Sequence, residues 1–247
     1  MARRLTLEGA QIRAVVEILP YVGGLIRNEV QCLVDFDIPL MLGHTITEIH
    51  GKDRIAGVTI ARVDKNMEPV SGTERMVRCD TLLLSVGLIP ENELSLRAGV
   101  QLNPLTGGPF VDERRETTIP GIFAAGNVAH VHDLVDNVVT EGEIAGFYAA
   151  ECAMGKVMSA QRRINIVSDE GVRYVVPNTI STETEVDIYM RVKQPAENVI
   201  VRVGDIYSKT LRAVKPSEMV KVKLGNRELA KIGNNVKEVF VRCQPIT

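Results

Sequence analysis

Apolar and polar residues follow two different rhythms along this chain, and the change falls near residue 160. Before it, short continuous apolar runs alternate with segments of helical spacing. Residues 2–8 read as the end of a helix stopped by Gly9, a favourable residue just past a helix C-terminus. Residues 12–18 form a run rich in β-branched side chains, hence a strand. Residues 24–36 follow as a helix with Leu25, Val30, Leu33 and Val34 as its apolar stripe. A short strand at 38–42 leads to a hairpin of 45–49 and 55–63 around His50-Gly51-Lys52-Asp53, and Pro69 and Gly72 mark 64–76 as a loop. Residues 80–87 are an apolar strand ending in glycine, 93–98 a short helix, 101–108 a turn-rich loop and 110–112 a short strand. Pro120-Gly121 then punctuates a turn before the apolar run 122–125, and a helix spans 138–154. Its N-terminus lies near Asn137, and Gly142, Ala145, Gly146, Ala149 and Ala150 give it a small-residue face. The runs at 12–18, 81–86 and 122–125 suit parallel strands buried on both faces.

Beyond a polar linker at 155–161 the period becomes two. Val186, Ile188, Met190 and Val192 alternate with polar residues, as do Val199, Val201 and Val203, then Val220, Val222 and Leu224, then Val239, Val241 and Cys243. Runs of this kind, cut by Pro177, Pro195, Gly204, Pro216 and Gly225, predict a small antiparallel β domain over 163–247. No site chemistry is evident in it.

Composition narrows the function classes. The chain has 247 residues, 45% apolar and 24% charged, with a net charge of −2. That balance gives no footprint for nucleic acid or an anionic membrane, and no apolar run is long enough to span a bilayer. The N-terminal residues lack the apolar core of a signal peptide and read as the middle of a domain. Four scattered cysteines, without a C-x-x-C pair, suit a reducing, cytoplasmic setting and argue against a disulfide framework. His44, His50, His130 and His132 have no Cys or carboxylate cluster at ligand spacing, so no metal site is expected.

The candidate chemistry lies in three stretches. Ile119-Pro120-Gly121-Ile122-Phe123-Ala124-Ala125-Gly126-Asn127 joins a strand, a glycine and a following helix N-terminus, an arrangement that favours anionic ligand atoms. Asp80 to Gly87, followed by Leu88-Ile89-Pro90-Glu91-Asn92, is a strand whose closing Gly87 admits close backbone approach. Glu17 closes the strand at 12–18, where dinucleotide folds place an acid for ribose hydroxyls, and no Arg follows in 18–24 to meet a 2′-phosphate. That favours NAD over NADP, and an ordinary exposed strand-end Glu is the competing reading. His130 and His132, two apart, share a face if extended. They either meet a ligand or belong to a solvent-facing loop.

The first of these stretches resembles P-G-[IV]-[FY]-A-x-G-D, the second flavin motif of the two-dinucleotide flavoprotein reductases of the pyridine nucleotide-disulfide oxidoreductase family. Asn127 stands where that family has the aspartate that contacts the flavin ribityl and phosphate region. The second stretch resembles the family's crossover motif, with Ser85 in place of Ala. The resemblance implies an α/β fold: an incomplete pair of Rossmann-like dinucleotide-binding domains, with 1–77 from the NAD domain and 78–155 from the FAD domain. It implies FAD and NAD as cofactors, and Glu17, Gly87, Pro90, Gly126, Asn127, His130 and His132 as cofactor-binding residues. No catalytic acid or base is expected, because hydride transfer between nicotinamide and flavin is the cofactors' own chemistry. The string from His130 to Asp136 and the β tail are similar to bacterial reductases encoded beside a glycerol-3-phosphate-dehydrogenase-like flavoprotein, which implies a flavoprotein dehydrogenase partner.

No G-x-G-x-x-G loop occurs in the sequence. The expectation is therefore an N-terminally truncated reductase that alone binds neither cofactor tightly, is inactive, and self-associates, a possible homo-oligomer. A non-catalytic docking or electron-transfer subunit is the alternative, and a simple binding module with coincidental motifs is the third reading.

Overall fold

A computed structural model describes residues 1–24, 26–156 and 162–246. The chain divides into two compact units, Met1–Val86 and Gly87–Thr247. In the first, helix α1 (Ala2–Leu7) ends before Gly9, whose φ of +91° lies in the left-handed region. Strand β1 (Val15–Glu17) pairs in parallel with β2 (Leu40–Leu42). The intervening helix is shorter than its sequence suggests: α2 (Ile26–Cys32), then a 3-10 turn at Val34–Phe36, with Leu25 outside the described residues. Val30 and Val34, expected on its buried stripe, are exposed. The hairpin forms as expected from β3 (His44–His50) and β4 (Gly57–Arg62), and β5 (Arg75–Val77) adds a third antiparallel strand where only a loop was expected. β4 supplies most of this unit's core, with Val58, Ile60 and Ala61 buried.

Two expected parallel strands do not form. Residues 81–86 carry no ladder among the described residues, and Leu84 is 68% and Val86 91% exposed. An apolar run becomes a strand only when another backbone supplies its hydrogen bonds, and among the described residues none pairs with this one. Residues 122–125 are turned back at Gly121 (φ +79°) onto the segment just before them. Thr117 N–H donates to the Ile122 carbonyl and Ala124 N–H to the Arg115 carbonyl, at 2.8 and 2.9 Å. A local antiparallel reversal thus replaces the parallel strand.

The second unit contains α3 (Glu93–Arg97), the long helix α4 (Val135–Ala153) and the C-terminal strands. Residues 157–161, most of the expected linker, lie outside the described residues. The strands are β6 (Ile164–Ser168), β7 (Val172–Val176), β8 (Thr179–Ile180), β9 (Val186–Val192), β10 (Ala196–Val203), β11 (Tyr207–Val214), β12 (Val220–Leu224) and, after the short α5 (Asn226–Leu229), β13 (Glu238–Pro245). They build one sheet ordered β11-β10-β13-β6-β8 and a second ordered β12-β9-β7. All pairings are antiparallel except β13 with β6. The period-two pattern is realised: Ile188 and Met190 from one sheet and Val199, Val201, Val203 and Val241 from the other share one core. Val111 and Ala124 pack against Tyr174 and Val176 of β7, joining the segment before α4 to the sheets.

Two substitutions separate the buried strands from the exposed run. Ile188→Ala should cost about 2–5 kcal/mol in urea unfolding, as for other core truncations. Leu84→Ser should stay within about 0.5 kcal/mol of wild type; a large loss there would mean that 81–86 is buried.

Candidate functional site

Gly126 ends the reversal with φ +68°, and a Cβ there would stand 2.8 Å from Cγ1 of Val138 on α4. A left-handed, tightly packed position of this kind suits glycine alone. A 3-10 turn follows at Gly126–Val128, and the N–H groups of Ala129 and His130 both donate to the Gly126 carbonyl. The turn rests on Glu141, the one buried residue of α4. Glu141 Oε2 accepts the Gly126 N–H at 2.8 Å and lies 3.0 Å from His132 Nε2. Its Oε1 lies 3.1 Å from His130 Nε2 and 3.2 Å from the Arg115 guanidinium.

Burial alone would push the Glu141 carboxyl up. The bonds from His130 and His132, with the nearby Arg115 charge, outweigh burial and hold it well below the usual carboxylate range. Burial pushes His130 down, only partly offset by Glu141, so its imidazole is neutral. The buried Glu141 carboxylate is therefore paired with the Arg115 guanidinium, and the imidazoles at hydrogen-bond distance complete its set of partners.

The β sheets grip the same loop from the other side. Arg191 of β9 meets Asp133 Oδ1 at 2.5 Å and donates to the Val131 carbonyl at 3.0 Å, while its Nε bonds the Tyr174 hydroxyl. The Met219 N–H reaches Asp133 Oδ2. The Tyr189 ring lies 5.6 Å from that of His130 and 5.3 Å from that of His132, edge-on to the latter. Asn92 closes the remaining side, donating to the carbonyls of Gly107 and Val128.

The sequence-predicted residues separate on this frame. Gly126, Asn127, His130 and His132 come together on one loop. Asn127 is exposed, and its Oδ1 accepts the His132 N–H at 3.0 Å. His130 and His132 are buried rather than on a solvent-facing loop, and their Nε2 atoms face Glu141. Pro90 packs near Gly107, whereas Gly87 (φ +103°) is exposed with no atom close to where a Cβ would lie. Glu17, in the other unit, accepts the Leu19 N–H at 3.0 Å, and a Cβ on Gly23 would stand 3.1 Å from its second oxygen. Sequence reading missed Glu141, Arg115 and Arg191. The available signal was a carboxylate at the inward spacing of Val138, Glu141 and Ala145 on α4. The expectation that no carboxylate joins the histidines is also corrected, because the fold of α4 against the loop brings Glu141 to both.

The family described as pyridine nucleotide-disulphide oxidoreductase matches residues 10–162, more than half of the chain. Among curated proteins, the chain is 33% identical over 82 residues to an alkyl hydroperoxide reductase component of Staphylococcus aureus (strain Mu50), covering 33% of this chain and 15% of that one. It is 24% identical over 154 residues to the CoA-dependent NAD(P)H sulfur oxidoreductase of Pyrococcus abyssi, covering 60% and 32%. The chain thus spans no more than a third of either relative's length. The crystal structure of T. acidophilum thioredoxin reductase superposes with a TM-score of 0.50 at 26% identity, over 57% of this chain and 44% of that one. The fold is accordingly a Rossmann-like α/β portion followed by largely antiparallel sheets. Among the described residues no helix is long and apolar enough to cross a membrane.

The cluster sets a pH dependence. His130 has a folded pKa below its ordinary 6.5 and Glu141 one below its ordinary 4.5. In both cases the unfolded chain binds protons first on acidification, so stability falls as pH drops through these values. Glu141→Gln strands the Arg115 charge and should cost about 3–5 kcal/mol at neutral pH. The gap to wild type should narrow below pH 4.5, read as urea midpoints between neutral and acid pH.

Proposed function

Because this chain belongs to the pyridine nucleotide-disulphide oxidoreductase family, we propose that it carries part of the cofactor-binding apparatus of an FAD-dependent oxidoreductase. That enzyme moves electrons between NAD(P)H and a partner flavoprotein or small acceptor. The observation that carries this reading is the Gly126 turn, seated on Glu141 and facing the N-terminal end of α4. The residues present fit a flavin there. Gly126 lets the turn pack closely on α4, Asn127 is exposed beside it, and Leu134 gives the first turn of α4 no side-chain cap. The first amides of a long helix favour negative charge, which is what a reduced flavin and its phosphates bring. When bound, the flavin supplies the hydride and electron chemistry. The chain's residues hold and orient it: Asn127 and the turn backbone as contacts, His130 and His132 as buried supports rather than ligands.

Glu17 serves the nicotinamide cofactor in this reading. What supports this is a half-buried carboxylate at the end of β1, steadied by the Leu19 N–H, the position at which dinucleotide folds carry an acid for ribose hydroxyls. The acceptor is proposed as a flavoprotein dehydrogenase, on the resemblance of residues 130–136 and the β tail.

None of the glycines falls in a G-x-G-x-x-G pattern, so these residues hold no pyrophosphate cradle of that type. FAD should therefore bind weakly to the chain alone. It should bind stoichiometrically once a polypeptide carrying the glycine loops is added, as read by flavin fluorescence quenching. No flavin uptake in either state would reject the reading. In the complemented protein Glu17→Ala should weaken NADH more than NADPH, and equal losses would remove Glu17 from the ribose site.

A further inference from the structure

Asn127 is flanked on both sides by bonds to one buried carboxylate. On its N-terminal side the Gly126 N–H donates to Glu141 Oε2 at 2.8 Å. On the other side His132 Nε2 meets the same oxygen at 3.0 Å. The backbone N–H of that His132 donates to Asn127 Oδ1, also at 3.0 Å. The carboxylate thus fixes the backbone entering Asn127 and, through His132, the direction of its side chain. With Oδ1 held inward, the group left for solvent is the amide NH2, a donor where an aspartate would offer only acceptors.

We propose that Glu141 is a positioning residue acting through Asn127: it sets this side chain as an outward hydrogen-bond donor for an oxygen of the bound flavin nucleotide. The proposal rests on the flavin reading above. Glu141 itself touches no ligand, because it is fully buried beneath the turn.

The same side chains invite a second explanation. Ligand atoms of His130, His132 and Glu141 lie within 4.8 Å of one another, and two histidines with one carboxylate form a common donor set for transition metals. Three observations favour hydrogen bonding instead. The Nε2–oxygen separations of 3.0 and 3.1 Å are already those of hydrogen bonds. The Arg115 guanidinium, 3.2 Å from Oε1, supplies the cation. Finally, both Nδ1 atoms lack a partner among the described residues, whereas a metal-bound imidazole normally donates its other N–H to an acceptor.

The test is a double-mutant cycle on FAD affinity in the complemented protein, with Glu141→Gln, Asn127→Ala and the pair. Each single change should weaken FAD about tenfold, the scale of one hydrogen bond, and the double variant should be little worse than Asn127→Ala alone. Fully additive losses would mean that Glu141 acts elsewhere and would overturn the proposal. His132→Ala repeats the cycle without stranding Arg115, should Glu141→Gln fail to fold. Amide exchange of the flavin-free chain gives a separate reading. The Gly126 N–H should exchange faster in Glu141→Gln while β10 and β13 keep their protection, and unchanged exchange at Gly126 would remove Glu141 from the turn whether or not flavin binds. A wild-type protein that takes up no flavin rejects the flavin reading and, with it, the role assigned to Asn127. Stoichiometric Zn2+ bound by wild type and lost in Glu141→Gln would overturn the proposal in favour of a metal site.

Discussion

The buried carboxylate of Glu141 is the constraint on which the second unit's loop architecture depends. Removing an ionised carboxylate from water costs several kcal/mol even after relaxation, and only a complete set of partners offsets it. Those partners come from separate stretches: Arg115 before the chain reversal, Gly126 at its end, and His130 and His132 beyond it. Each is held in turn by its own surroundings, so the turn has little freedom to move one contact without losing another. A buried polar network behaves this way because a half-satisfied one is worse than none.

That dependence extends into the β sheets, where the sequence offered no site chemistry. Tyr189 packs on both imidazoles, and Arg191 joins Asp133 to Tyr174. The loop therefore sits between a helix that supplies charge and a sheet that supplies aromatic and guanidinium contacts. On this geometry the C-terminal strands are part of the site's scaffold. Their side chains cover and hold the charged cluster.

Much of this was legible from the residues. Period-two runs found the buried faces of β9, β10, β12 and β13, and the polar, glycine-containing stretch His50-Gly51-Lys52-Asp53 found the β3–β4 hairpin, because both signals are local. What was not legible depends on partners far away in sequence. The run at 81–86 has the composition of an interior strand, yet hydrophobicity describes what a segment would gain from a neighbour, not whether one is there. Residues 122–125 were misread for the opposite reason: the Pro120-Gly121 turn is strong enough to fold them back on 115–117. His130 and His132 were singled out as a pair, and both meet Glu141. Their orientation toward Glu141 could not be read, since an inward carboxylate on a helix of small residues looks like one more polar position.

The geometry is also consistent with an asparagine at position 127, exposed on the turn with its Oδ1 accepting the His132 N–H. An aspartate there would add a second negative charge to a turn that already rests on the buried Glu141 carboxylate of α4, and like charges at short range raise each other's cost in a low-dielectric setting. Asn127 keeps the size and the inward acceptor for the His132 N–H, and it places no second negative charge near Glu141. The neutral amide and the buried carboxylate are thus mutually consistent. The same loop is tied tightly from beneath while the Asn127 side chain stays exposed.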